Sequence, residues 1–273
     1  MRGPGRTENY RRFGVASGRE AAITADPRMK PQLLLAETNT PEGTKLSLFS
    51  HDGRFSIRVN GKELMNSAAT ASELALGEFA VAGEAISAAP RVLIGGLGFG
   101  YTLQGVLAKL GKSATVHVTE LIPAVLEWNR TLLAGLNGAL LKDSRVKILN
   151  EDVRSVIARS AAQPYDAIAL DIDNGPSAMV QSGNAKVYDL RGIQRIAQAL
   201  KPGGRVVVWS SGADKMFESR LSNSGFKVQA LPVRKHATAK STSYMIYIAD
   251  KIVTLAAKVP TATERPVEGG GKS

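Results

Sequence analysis

Residues Arg91-Val-Leu-Ile-Gly-Gly-Leu-Gly-Phe-Gly100 constrain this chain more than any other stretch. A short apolar run rich in β-branched residues stops at glycines, and a helical pattern follows from Tyr101 to Leu110. The pattern predicts a buried strand, a tight turn and a helix start. Glycines let the backbone bend there and let a ligand come close to it. The helix N-terminus adds unpaired N–H groups and a partial positive charge. Nucleotides and nucleoside-type ligands are held at such turns in α/β proteins. A lone glycine turn also suits plain packing, so the segments that follow decide between the two.

Thr115-Val-His-Val-Thr119 reads as a second strand, with Glu120 just past it. The interval from Gly100 to Glu120 is the one at which an acidic residue meets ribose hydroxyls in dinucleotide-binding folds. A carboxylate suits that task because its two oxygens accept from both hydroxyls. The dinucleotide pattern, however, needs glycine or alanine where Tyr101 stands. S-adenosylmethionine sites use the strand, turn and acid without that last glycine, so an adenosyl-sulfonium ligand is favoured over NAD. Gly95, Gly96, Gly98, Gly100, Glu120 and Asp152 are the candidate cofactor-binding residues. Asp152 suits an adenine amino group, and equally the N-cap of a helix starting at Val153.

The remaining chain alternates strands and helices. Helices are expected over Thr70–Ala88 (with Ser72 as a cap), Pro123–Leu136, Val153–Ser160, Tyr188–Leu200 and Asp214–Asn223. Strands are expected at Val146–Leu149, Tyr165–Leu170 and Arg205–Trp209, with Lys201-Pro-Gly-Gly204 as a turn. Phe226–Leu231 and Ser243–Ala249 complete the set as an antiparallel pair. The alternation predicts an α/β fold, a doubly wound and mostly parallel sheet with helices on both faces. Ahead of it, Leu33–Thr38, Thr44–Phe49 and Arg54–Val59 read as a small antiparallel sheet, joined by turn chemistry at His51-Asp-Gly53 and followed by Asn60-Gly61. The expected organisation is a mobile tail over 1–30, the small sheet over 31–69, the ligand-binding domain over 70–250 and a second tail over 251–273.

Ligands in such sheets lie beyond the carboxyl ends of the strands. Glycines 95–100, Glu120, Asp152 and Asp171 all fall at predicted carboxyl ends. Asp171-Ile-Asp-Asn-Gly-Pro176 carries two carboxylates one residue apart, which point to opposite sides of an extended chain. A cleft carboxylate there can orient an amine beside a sulfonium and accept its proton. Asp171 is the catalytic candidate; Asp173, Asn174 and Tyr188 are candidates for substrate contacts. His51, His117 and His236 show no metal spacing, and no metal is expected. Ser210-Ser211 lacks a nucleophile elbow, and Gly111-Lys-Ser113 lacks the first glycine of a phosphate loop.

The 273 residues are 44% hydrophobic, enough for one large domain or a domain with an annex. There is no cysteine, which excludes disulfides and thiolate chemistry. No apolar run approaches the roughly 20 residues of a bilayer span. Together with the missing apolar core of a signal peptide, this leads to the expectation of a cytoplasmic protein without membrane contact. The formal charge is +11, from 35 basic and 24 acidic residues. Part is local: residues 1–30 carry seven Lys/Arg against three Asp/Glu, and Arg234–Lys240 adds a cluster. Aromatics, at 5%, do not interleave with these runs, so solvated tails are favoured over a nucleic-acid surface.

Taken together, the small sheet, the Gly95–Gly100 turn, Glu120, Asn150-Glu-Asp152, the Asp171–Pro176 loop with Tyr188, and Lys201-Pro-Gly-Gly204 resemble the spermidine synthase-like proteins. That family belongs to the Rossmann-like class I S-adenosylmethionine-dependent methyltransferase fold. The resemblance covers about residues 33–250. It implies that Gly96, Gly98, Glu120 and Asp152 hold the adenosyl ligand. It also implies that Asp171 prepares an attacking amine, and that 174–189 covers the substrate. A homodimer is a further expectation from it.

The departures bear on the reaction. Spermidine synthases usually carry Asp-Ser-Ser-Asp-Pro where this chain has Asp171-Ile-Asp-Asn-Gly. Their tyrosine–histidine pair is replaced by Leu76-Gly77, with Glu78 kept as a substrate-binding candidate, and their glutamine is missing near Ser67. The sequence reading is therefore a transferase using S-adenosylmethionine or its decarboxylated form. It places methyl transfer to a small amine first, and polyamine aminopropyl transfer from the decarboxylated donor second. Readings from other classes are a non-catalytic adenosyl-ligand or nucleic-acid binding module and an NAD-linked oxidoreductase.

Overall fold

A computed structural model describes residues 31–40, 42–84, 86–172, 185–234 and 242–253. Its main sheet has seven strands: β5 (Arg91–Gly95), β6 (Thr115–Thr119), β7 (Val146–Leu149), β8 (Tyr165–Leu170), β9 (Leu200–Ser210), β10 (Phe226–Arg234) and β11 (Thr242–Lys251). The spatial order is β10-β11-β9-β8-β5-β6-β7. The pairs from β9 to β7 are parallel, and β11 and β10 close one edge antiparallel. The parallel strands run outward in chain order from β5 through β6 to β7 and from β8 to β9, with β11 set between β9 and β10, so the switch point lies between β5 and β8.

Alternation along the central strands sorts side chains between two cores. Val92 and Ile94 of β5 and Ala167 and Ala169 of β8 pack on one face, under α1 (Ala71–Val81) and α2 (Tyr101–Lys109). Leu93, Ile168 and Leu170 pack on the other, under α4 (Val153–Arg159), α5 (Ala185–Tyr188), α6 (Leu190–Ala199) and α7 (Lys215–Asn223). Both faces of β8 are apolar because helices cover both.

The α1–α2 contact is unusually close. A Cβ on Gly77 would stand 2.3 Å from the Thr102 carbonyl oxygen, and one on Gly105 would stand 2.4 Å from that of Leu74. The two backbones touch where any side chain would hold them apart.

The second sheet has four antiparallel strands, β1 (Leu33–Asn39), β2 (Lys45–His51), β3 (Arg54–Val59) and β4 (Lys62–Asn66). Leu46, Leu48, Ile57 and Val59 pack against Phe99, Ile122, Val125, Trp128 and Leu133, the last two in and just after α3 (Pro123–Arg130). The small sheet thereby roofs the carboxyl ends of β5 and β6.

Several expectations need correction. β4 was not foreseen, since Lys62-Glu-Leu-Met-Asn66 shows no alternation. The αL conformations of Asn60 and Gly61 turn the chain directly from β3 into it. Ser72 does not cap α1: it lies buried inside the first turn, and Thr70 precedes the helix without a side-chain cap. α1 stops at Val81 instead of Ala88 and α3 at Arg130 instead of Leu136, where Thr131 turns the chain toward a 3-10 helix at Gly138–Lys142. Lys201–Gly204 belongs to β9, with a register shift against β8 and Gly203 at φ +72°. Among the described residues, no helix is long and apolar enough to cross a membrane.

Candidate active site

The site is built where β5 ends. Gly96 N donates to Thr119 O (3.0 Å), and Asp171 N donates to Gly95 O (2.8 Å). The turn and the end of β8 are thus stitched together. Gly96 has φ +91°, and a Cβ there would lie 2.2 Å from the Asp171 carbonyl oxygen. The rest of the turn hangs on buried side chains. Asn129 Nδ2 donates to Gly98 O (2.9 Å), and Asn137 Nδ2 donates to Phe99 O (2.9 Å). The sequence reading missed both asparagines. Their only trace there is polarity inside otherwise apolar segments.

Between the turn and the small sheet lies a cleft. Gly96, Gly98, Glu120, Asp152 and Asp171 line it, with Leu46, Ile57 and Met65 as the apolar roof. Glu120 Oε2 accepts from Leu97 N (3.2 Å) and its Oε1 from Ile122 N (2.9 Å). Those bonds fix the carboxylate in the lining of the cleft. Asp152 is the N-cap of α4, accepting from Arg154 N (2.8 Å) and pairing with the Arg154 guanidinium (2.5 Å). Burial pushes its carboxyl up, but the bonds from Arg154 outweigh this and hold it below the usual carboxylate range. The capping reading holds, and Asp152 also lines the cleft.

A second compartment opens beside Asp171. Its walls include Glu63, Glu73, Asp171, Trp209 and Tyr244, and the Trp209 and Tyr244 rings lie 4.7 Å apart. Leu64, Met65, Gly98 and Asp171 line both compartments. Asp171 is half-buried, and its Oδ2 accepts from Thr102 Oγ1 (2.6 Å). Burial raises its pKa to about 6, with the Thr102 bond opposing. Glu73 is pushed well above the usual range by burial and by the Asp171 charge. The linings of the two compartments hold six carboxyls (Glu63, Glu73, Glu120, Glu151, Asp152 and Asp171) and no Lys, Arg or His among the described residues. Asp152 and Glu151 are paired with Arg154 and Arg159; among the described residues Glu73 and Asp171 have no such cation. A chain of formal charge +11 thus surrounds an acidic site.

Other candidates lie elsewhere. Glu78 is exposed, pairs with Lys109 (3.6 Å) and lines neither compartment; Glu73 on the same helix does. Tyr188 is buried in the core, edge-on to Phe217 (5.5 Å). Gly95 is buried against Val153 and Leu170, and Gly100 abuts Asn137 at the start of α2, so both shape the turn from behind. Asp173 and Asn174 lie outside the described residues. His117 packs in β6 with Nδ1 2.8 Å from Tyr165 Oη, and no group of metal-binding side chains occurs among the described residues.

No protein-family model matches the chain. Over 122 residues it is 32% identical to the polyamine aminopropyltransferases of Mycobacterium tuberculosis and Mycobacterium bovis. The match takes in 44% of this chain and 22% of those proteins, so the chain spans about a fifth of the length of the curated relatives it matches. In fold it is similar to spermidine synthase from Thermotoga maritima, with a TM-score of 0.62 at 15% identity over 81% of this chain and 74% of that one. A spermidine synthase in complex with the transition state analogue AdoDATO superposes with a TM-score of 0.61, at 15% identity over 81% and 73% of the two chains. The molecule is therefore spermidine synthase-like in fold, as the sequence resemblance implied.

Proposed function

We propose that this spermidine synthase-like chain transfers an aminopropyl group from decarboxylated S-adenosylmethionine to an amine. The observation that carries the reading is the acid-only lining around Asp171, at the junction of the two compartments. A ligand carboxylate next to Asp171 and Glu73 would meet like charge with no described cation to offset it. A decarboxylated donor and a cationic acceptor meet no such penalty. The curated relatives are polyamine aminopropyltransferases, which also favours aminopropyl transfer over the methyl transfer that the altered positions 76 and 77 suggested.

The cleft suits an adenosyl group: Gly96 and Gly98 leave the turn open, and Glu120 places a carboxylate held by Leu97 N and Ile122 N in the same lining. The donor, when bound, supplies a carbon beside a sulfonium, whose C–S bond is exchanged for a C–N bond as sulfur leaves as a thioether. Asp171 holds the amine at the junction and takes its proton, so that the nitrogen lone pair faces the donor side. Trp209 and Tyr244 offer ring faces to the acceptor's cationic remainder.

Calorimetric titration with decarboxylated S-adenosylmethionine, S-adenosylmethionine and NAD tests the donor, followed by mass spectrometry of mixtures with diamines. Tighter binding of the decarboxylated donor and a product heavier by one aminopropyl group are expected. Preference for the intact donor with methylated products would overturn the reading. Glu120→Ala is expected to weaken donor binding about 10- to 100-fold, the worth of hydrogen bonds to a charged group. An unchanged Kd would remove Glu120 from the donor site.

A further inference from the structure

We propose that Glu73 and Asp171 act as one carboxyl pair that keeps a single proton between them, so that the acceptor compartment meets an incoming ammonium with one negative charge instead of two. The inference rests on the reading above that this compartment takes an amine. It assigns Glu73 a positioning role, exerted through Asp171.

The geometry starts at the α1–α2 contact. Close approach at Gly77 and Gly105 lays the first turn of α1 on that of α2. Thr102 Oγ1 then lies 2.6 Å from Asp171 Oδ2, to which it donates, and 3.3 Å from the Glu73 carbonyl oxygen. Both carboxyls line the same cavity. Glu73 is drawn into no side-chain hydrogen bond or ion pair among the described residues.

Among the described residues, the surrounding elements supply no cation to the lining of this compartment. Lys109 of α2 pairs with Glu78, and Arg205 of β9 pairs with Asp250 of β11 and donates to Phe79 O. Lys201 pairs with Asp166 of β8, and Lys251 of β11 donates to Ala197 O and Leu200 O. Lys227 and Arg234 of β10 are exposed. Among the described residues, what faces the pair is acidic or neutral: Glu63 of β4, Tyr244 of β11, and Tyr101 of α2, whose hydroxyl is pushed up by burial and by the Glu73 charge. Two like charges in one low-dielectric cavity disfavour each other's ionisation. Asp171 ionises first, near 6, and its charge then holds the proton on Glu73.

The consequence is a balanced proton step. The acceptor's ammonium gives one proton to the Asp171 carboxylate and becomes a neutral amine with a free lone pair. The pair, now uncharged, returns that proton to water after product leaves. A doubly ionised pair would stabilise the ammonium and oppose this transfer.

The test is a ¹³C NMR titration of the side-chain carboxyls in the full chain without ligand, for the native protein, Glu73→Gln, Asp171→Asn and Glu73→Asp. Two steps are expected in the native protein, one near 6 and a second, for Glu73, displaced well above the usual carboxylate range. Glu73→Gln should keep only the step near 6, and Glu73→Asp should restore two. Asp171→Asn should leave one step, displaced downward from the native upper one. In turnover, the native alkaline decline through the upper step should vanish in Glu73→Gln, which carries one charge at every such pH. Ordinary carboxylate titration of both groups, or an upper step that Asp171→Asn leaves unmoved, would overturn the pair. Two-step titration in a protein that binds neither donor nor amine would uphold the pair and overturn the functional reading instead.

Discussion

Asp171→Asn is expected to lower transfer about 10²- to 10⁴-fold, the usual contribution of a positioned proton acceptor, while making the folded protein more stable at neutral pH. The two effects have one cause. The native carboxyl is raised from 3.8 to about 6 by burial, so between those values the folded state binds more protons than the unfolded chain. Stability attributable to this group therefore falls as pH rises through the window and stays reduced above it. Asparagine removes the ionisation and keeps an oxygen to accept from Thr102 Oγ1. The stability gain at pH 7.5 is about 1–3 kcal/mol, a Tm increase of a few degrees for a chain of this size. Thermal melts at several pH values, beside turnover at saturating donor, check it. The gap in Tm should close below pH 4, near the unfolded carboxyl's value. Activity within tenfold of native, or a variant less stable at pH 7.5, would refute the assignment.

Asp166→Ala is expected to act in the opposite sense, lowering stability by about 3 kcal/mol without touching the site. Asp166 lies in the same strand, β8, near the end away from the cleft. Its carboxylate accepts from Arg91 N (2.8 Å), Ser87 N (3.2 Å) and Lys201 Nζ (2.7 Å), and the side chain is 0% exposed. Burial pushes this carboxyl up, but its four hydrogen-bonding contributions outweigh that and hold it below its usual value. Its stabilisation is thus present above pH 4 and is lost as pH falls through the folded value. Alanine would strand two backbone N–H groups and release the loop between α1 and β5. Urea unfolding should show a lower midpoint with an unchanged slope, and donor affinity of the folded fraction should stay native. A loss under about 1 kcal/mol would mean that water replaces the carboxylate at those donors.

What the sequence made legible was whatever depends on neighbours along the chain. The strand-turn-helix at Arg91–Tyr101, the acid past β6 and the cap at Asp152 are local patterns, and each stands where expected. The alternating strands and helices likewise implied the parallel sheet and its switch point. The second compartment was illegible because distant segments build it: Glu63 and Glu73 come from the first third, and Trp209 and Tyr244 from the last. The choice of Glu78 over Glu73 shows the difficulty. Five positions separate them, which is about 140° around a helix at roughly 100° per residue, so only one can face the cavity. Pattern matching chose the residue that turned out to pair with Lys109 on the surface. Leu76 and Gly77 were read as lost substrate contacts. Their places in the core and in the α1–α2 contact show what they do instead: they let the helices close and carry Glu73 inward.

The contact between Gly96 and the end of β8 also limits how this site can diversify. Any side chain at 96 would strike the Asp171 carbonyl, which is main chain and cannot swing away. No single-step variant there can reshape the cleft alone, because the same step displaces Asp171. Gly98 is open by comparison: its φ of +53° is one that asparagine and aspartate adopt, and a Cβ would meet only the movable thioether end of Met65 at 3.3 Å. Mutational paths that reshape the cleft are thereby channelled through position 98 and its roof, while position 96 stays fixed.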